Sequence, residues 1–104
     1  MTGKEFAMKY NEAQLKKIAR GIAESIVIRD YVNGNSRDTR RETTDPEKEI
    51  IKNITYGALL AYIYSGENLD GILDMAEFTL HQFIPSANAY DTVYIPLRNV
   101  TETW

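Results

Sequence analysis

Residues 45–83, DPEKEIIKNITYGALLAYIYSGENLDGILDMAEFTLHQF, contain two apolar periodicities that decide the fold. The Asp45-Pro46 pair can open a helix and Ser65-Gly66 can close it, while Asn68 can open a second helix that Pro85 ends. Apolar residues recur every three or four positions in both stretches, so we expect a helical hairpin. The two stripes consist of Ile50, Ile51, Ile54, Ala58, Ala61 and Tyr62, widened by Leu59 and Leu60, and of Leu69, Ile72, Leu73, Ala76, Leu80 and Phe83.

A long amphipathic helix is predicted before the hairpin. The N-x-x-Q sequence at 11–14 is a start signal, and T-x-x-E at 2–5 predicts a short helical turn ahead of it, as far as Tyr10. We expect the long helix to end at the Asn33-Gly34 turn. Gly21 costs this helix roughly 1 kcal/mol relative to alanine and would admit a close helical neighbour. The apolar stripe consists of Leu15, Ile18, Ala19, Ile22, Ala23, Ile26 and Val27.

Two stretches lack this periodicity. Residues 33–44, NGNSRDTRRETT, contain no large apolar side chain and are expected to form a solvated basic loop. Near the C-terminus, Val93-Tyr94-Ile95 followed by Pro96 favours an extended tail, packed across the helices or exchanged with a second chain. The predicted fold is all-α: a long helix, a basic loop and a helical hairpin. We place the helical core at residues 1–84 and the extended tail at residues 85–104.

Composition limits the class of protein. A chain of 104 residues and 11.9 kDa is one domain, and 43% hydrophobic with 26% charged residues is typical of a globular chain. The absence of cysteine excludes disulfides, thiol catalysis and cysteine-ligated zinc. The longest apolar run is Ala58 to Tyr64, too short for a membrane span, and we expect a cytoplasmic protein.

Charge is distributed unevenly along the chain. Residues 1–41 contain nine Lys or Arg and five Asp or Glu, whereas residues 42–104 contain three and ten. No basic residue lies between Lys52 and Arg98. Such a chain can pair its halves internally, pair with another copy or present a charged face to a partner. Internal pairing is the interpretation that we favour.

An acidic face is predicted on the last helix of the hairpin. Asp70, Asp74, Glu77 and His81 share one narrow stripe at helical spacing, and Glu67 precedes them. This face could dock a basic surface. Asp74, Glu77 and His81 could also share a divalent metal, but a solvated face with one histidine near the helix C-terminus explains the pattern more simply. We therefore expect no cofactor.

Arg37, Arg40 and Arg41 make the loop a candidate for phosphate binding, because guanidinium groups bind phosphate oxygens through two hydrogen bonds. The sequence pI of about 5.1 opposes binding to a polyanion, and no glycine-rich phosphate loop is present. A nucleotide- or nucleic-acid-binding protein is thus the alternative function, and a solvated charged linker is the simpler interpretation of the loop.

Aromatic residues favour protein contacts. Seven of the eleven aromatic residues are tyrosines, which bury area while keeping a polar contact. Tyr56 and Tyr64 make the helix at 45–65 apolar over more than one face, which calls for neighbours on two sides, and we favour a second subunit as one of them. The predicted contact residues are Tyr56, Tyr64, Phe78, Tyr90, Tyr94 and Trp104.

Catalysis is not expected. The chain has one histidine and no cysteine, and its serines lie outside any nucleophile motif, so no triad or general-base pair can be assembled. The sequence favours a small non-enzymatic protein–protein interaction module. Such a module would act as a regulator, assembly factor or inhibitor of a larger partner, as a homo-oligomer and most simply a dimer.

Overall fold

The computed structural model describes residues 3–26, 32–33, 40–41, 43–65 and 68–102. Within these ranges the chain is mostly helical, with one short β ladder and a non-helical turn at residues 84–88, which confirms the all-α class but not the count of three helices. The elements in chain order are α1 (Gly3–Lys9), α2 (Glu12–Ser25), β1 (Val32–Asn33), β2 (Arg40–Arg41), α3 (Asp45–Ser65), α4 (Leu69–Phe83), a π-helical turn (Tyr90–Tyr94) and α5 (Ile95–Glu102).

The start of α2 follows the sequence signal, but its end does not. Asn11 Oδ1 accepts the Gln14 backbone N–H at 2.9 Å and Gln14 Oε1 accepts that of Asn11 at 3.0 Å, a complete capping box. The helix stops at Ser25, and Ile26 is already extended at φ −64° and ψ 142°. The expectation that the helix continues to Asn33 was therefore wrong. The β-branched run that begins at Ile26 loses rotamer freedom in a helix, which favours this early end.

The basic loop begins and ends in an antiparallel ladder. Val32 pairs with Arg41 and Asn33 pairs with Arg40, so two of the predicted loop arginines belong to β2. Arg37 lies outside the described residues. The ladder also shows that residue 32, which was assigned to the long helix, is part of a strand instead.

A second capping box starts α3 one residue earlier than the sequence analysis places it. The Thr44 backbone N–H donates to Glu47 Oε1 at 3.0 Å, and the Glu47 backbone N–H donates to Thr44 Oγ1 at 3.4 Å. Thr44, not Asp45, is therefore the N-cap residue, and Pro46 is the second helical residue. A proline is tolerated there because the N–H groups of the first turn have no partner within the helix.

Removing this cap should destabilise the fold. The Thr44 hydroxyl accepts from the Glu47 backbone N–H and also donates to Glu47 Oε1 at 2.8 Å. We expect Thr44→Ala to lower the free energy of unfolding by about 1 kcal/mol, because both of these hydrogen bonds are lost. Thr44→Ser keeps the hydroxyl and is the matched control. Urea unfolding followed by circular dichroism measures both changes. Equal stability of the alanine and serine variants would show that the box does not contribute.

Helix α3 is the centre of the core and packs against α1, α2 and α4. Its fully buried side chains include Ile51, Leu59 and Ile63, whereas Ile50 and Ile54 are only half-buried. The buried side of α3 is thus rotated relative to the predicted stripe. Although α3 has 21 residues, neither it nor any other helix in the described ranges is both long and apolar enough to cross a bilayer.

The C-terminal segment is helical, which corrects the prediction of an extended tail. Ala89, Val93, Leu97 and Thr101 recur every fourth residue and all are buried. The first three belong to the main core cluster, so this segment packs on the helical core. Residues 103–104 lie outside the described ranges, and with them the predicted contact residue Trp104.

Pro96 is accommodated by the π-helical turn. In a regular α-helix a proline ring collides with the carbonyl group four residues earlier and leaves that carbonyl without its usual donor. Here the preceding turn is wider, and the Ile95 backbone N–H donates to the Tyr90 carbonyl, five residues back. The wider turn lets the helical segment pass through Pro96 instead of ending there.

Candidate functional site

An open apolar groove of about 680 Å³ lies between α3 and α4. None of the described residues that line it is charged. The α3 wall consists of Ile50, Asn53, Ile54, Gly57, Ala58 and Ala61, and the α4 wall consists of Gly71, Ile72, Met75, Ala76, Thr79 and Phe83. Ile50, Ile54 and Ala61 belong to the predicted apolar stripe that the core does not fully bury.

The α3 wall is lowest in the middle, where its side chains are small. Gly57, Ala58 and Ala61 lie there, and a Cβ atom added at Gly57 would meet no heavy atom within 4 Å. Glycine in the middle of a helix costs roughly 1 kcal/mol relative to alanine. Packing among the described residues does not require this glycine, so the space above it is free for another molecule.

The α4 wall carries large exposed apolar side chains. Met75 is 65% exposed and Phe83 is 64% exposed. Phe78, also 64% exposed, lies three residues from Met75 and extends the same surface outward. On α3, Tyr64 is 50% exposed and follows Gly57 and Ala61 along one side of the helix. We call the groove together with Phe78, Gln82 and Tyr64 the groove face.

The acids of α4 lie on its opposite side, where they hold the C-terminal segment. Arg98 Nη2 donates to Asp70 Oδ1 at 2.8 Å. The Tyr94 hydroxyl lies 2.7 Å from both Asp74 Oδ1 and Glu77 Oε2. Three of the four predicted acidic-face residues thus contact the C-terminal segment, and Glu67 lies outside the described ranges. Asp70 and Arg98 both belong to residues 42–104, so this ion pair does not test the favoured pairing between the basic and acidic halves, which stays a prediction.

The two carboxylates keep the Tyr94 hydroxyl protonated. Hydrogen bonds to Glu77 and to Asp74, followed by burial, raise the pKa of Tyr94 above its ordinary value of 10. A raised pKa in the folded state favours the protonated form, so the contribution to stability is complete below pH 10. It is lost as the pH rises further, because the unfolded chain then gives up the proton that the folded chain retains.

This pH dependence can be measured with Tyr94→Phe. The stability advantage of the wild-type chain over Tyr94→Phe should stay constant up to about pH 9 and shrink as the pH rises from about 10 to about 12. Urea unfolding at several pH values gives this difference directly. Tyr90→Phe removes an exposed hydroxyl from the ring that stacks on Tyr94 and is the matched control. A wild-type advantage that stays constant or grows with pH would contradict the assigned hydrogen bonds.

The other edge of the groove face is formed by α2. The Arg20 guanidinium lies 3.9 Å above the Tyr56 ring, and its Nη1 donates to Oδ1 of Asn53, a groove-lining residue, at 3.0 Å. Lys16 pairs with Glu12 at 3.0 Å one turn earlier. Lys52 on α3 pairs with Glu24 of α2 at 3.4 Å. Basic groups therefore border the groove on the α2 side, with acids between them.

The predicted metal ligands are occupied by other contacts. His81 Nε2 lies 3.0 Å from the Ala87 carbonyl oxygen, which can only accept, so this nitrogen carries the proton. The Asp74 and Glu77 carboxylates meet at Tyr94 instead of at His81. Among the residues that the structure describes, no group of three or more His, Cys, Asp or Glu side chains could hold a metal ion.

The predicted contact residues are divided between the interior and the surface. Tyr56 packs beneath Arg20 and Tyr94 packs against α4, so neither offers a free surface. Tyr64, Phe78 and Tyr90 are exposed, but Tyr90 lies away from the groove in the π-helical turn. The structure thus brings two predicted residues, Tyr64 and Phe78, to the groove face.

Seven of the twelve groove-lining residues belong to the predicted apolar stripes, but none of the twelve was predicted as a contact residue. The other five are Asn53, Gly57, Gly71, Met75 and Thr79. Of these, Gly57 carries a recognisable signal of close approach, because it lies in the middle of a predicted helix with no turn nearby. Only the broad apolar surface of α3 was noticed. Comparisons with protein-family models, curated proteins and solved structures found no match.

Proposed function

We propose that this protein is a non-enzymatic protein–protein interaction module that self-associates through its groove face. The observation that carries the proposal is the uncharged groove between α3 and α4, bordered by exposed Met75, Phe78 and Phe83. Exposed apolar surface of this extent, framed by polar residues, is typical of interaction sites. A role as regulator, assembly factor or inhibitor of a larger partner belongs to the same proposal.

A second copy of this chain is the occupant that the groove face fits best. Its α3 half is low, with Gly57 and Ala61, and its α4 half projects, with Met75 and Phe78. A surface with one low half and one raised half can complement itself in a two-fold dimer. Dimer formation would also enlarge the apolar core of a chain of only 104 residues.

The alternative of nucleotide or nucleic-acid binding remains a prediction from the sequence. Arg40 and Arg41 form β2 and Arg37 lies outside the described residues, so the structure does not test whether the three arginines share one site. No contact in the described ranges favours this alternative over self-association.

Self-association can be tested by placing a charge in the groove. We expect Met75→Glu to weaken the dimer by about a hundredfold or more, because the carboxylate would be buried without a partner. Met8→Glu is the matched control, since Met8 is 81% exposed on α1, outside the groove. Sedimentation equilibrium over a range of protein concentrations measures both constants, and circular dichroism checks that both variants are folded.

Two outcomes would contradict the proposal. If the wild-type chain sediments as a monomer at every concentration, the proposal that the protein self-associates is wrong. A dimer that Met75→Glu and Met8→Glu weaken equally, or not at all, places the contact elsewhere on the molecule.

A further inference from the structure

We infer that the two copies are related by a two-fold axis parallel to the groove, so that α4 of each copy lies over α3 of the other. This inference rests on the proposed self-association and specifies how the groove face is used. The result is a four-helix layer in which each α3–α4 hairpin is covered by its equivalent. Shape determines the choice of axis, and symmetry then sets the register.

Only two principal orientations bring the groove faces together with the helices aligned. When two copies meet face to face, their two-fold axis lies in the plane of contact. An axis parallel to the groove exchanges the α3 side with the α4 side, so α4 covers α3 of the other copy. An axis perpendicular to the groove keeps each side in place, so α4 would cover α4 and α3 would cover α3.

Shape favours the parallel axis. With that axis the projecting Met75 and Phe78 side chains of α4 lie over the low part of α3 at Gly57 and Ala61. The same contact forms twice, once in each direction. With the perpendicular axis large side chains would meet large ones, and the two low surfaces would face each other across a void, which forfeits packing contacts.

Symmetry also sets the register. Rotation about an axis parallel to the groove leaves each residue at the same height along it. Asn53 lies twelve residues before the end of α3 and Gln82 lies thirteen residues after the start of α4, so in the antiparallel hairpin their heights differ by roughly 1.5 Å. Gln82 of one copy should thus lie close to Asn53 of the other.

Cross-linking tests the arrangement. Because the chain contains no cysteine, each introduced cysteine is the only thiol available for reaction. Two separate chains, Asn53→Cys and Gln82→Cys, are mixed and treated with a short bifunctional maleimide. We expect a covalent dimer from the mixture and none from either chain alone. Because each chain carries a single cysteine, every product must join two molecules. Asn53→Cys mixed with Met8→Cys is the control and should give no product.

The outcomes separate the arrangement from the proposed function. A sample that sediments as a dimer but gives no mixed product, or that links Asn53→Cys chains to one another, overturns the parallel axis and leaves self-association standing. A sample that does not dimerise at all overturns both. The mixed product with neither self-linked product supports the axis.

Gly57→Ala provides a second and independent measurement. In the single chain the added methyl meets nothing within 4 Å, so at concentrations below dimerisation the substitution should raise the melting temperature. In the dimer the same methyl would lie under α4 of the other copy, and dimerisation should weaken by roughly tenfold. Gly21→Ala, also free of contacts, should raise the melting temperature without changing dimerisation. If both substitutions leave the dimer intact, α4 does not approach α3 at Gly57.

Discussion

The structure depends on one constraint: α3 has apolar residues on more sides than the described chain covers. Helices α1, α2 and α4 pack against it and bury Ile51, Leu59 and Ile63 completely. Ile50 and Ile54 are left half-buried at the edge of the core, where they line a groove. A helix of this kind is stabilised by each neighbour that it gains, because the hydrophobic contribution is roughly proportional to the apolar area removed from water. The remaining surface of α3 is therefore where a further neighbour would contribute most.

The C-terminal segment determines which part of that surface stays free. Tyr94 and Arg98 contact the acids of α4, so the charged side of this helix is directed toward α5 and its other side presents Met75, Phe78 and Phe83. Arg98 is the only basic residue after Lys52 in the sequence, and it pairs with Asp70. This ion pair helps to hold the C-terminal segment against the acidic side of α4. Had the acids been spread around α4, the groove would have had a charged wall and would be a poor apolar contact.

Much of the helical arrangement could be predicted from local signals, and the failures have physical reasons. Asn11 and Asn68 cap the helices that they were expected to cap, because a cap depends on the few residues next to it. Thr44 repeats the T-x-x-E pattern recognised at residues 2–5 but was passed over in favour of the adjacent Asp45-Pro46. The C-terminal helix was hidden because Val93, Tyr94 and Ile95 favour strands, whereas the four-residue spacing of buried Ala89, Val93 and Leu97 decides the outcome through packing.

The candidate site could be only partly predicted, because it depends on the rotation of α3 about its own axis. The sequence marks Ile50, Ile51, Ile54 and Ala58 as one stripe, but only contacts with the other helices decide which of these face inward. Once α3 turns Thr55 and Leu59 toward the core, Gly57 and Ala61 must face outward, since they lie on the other side of the helix. These two small residues are not buried in the core, and they form the floor of the groove. Gly57 differs from Gly21, which is equally free of contacts, because its open space lies inside an apolar groove where a second molecule can approach the helix closely.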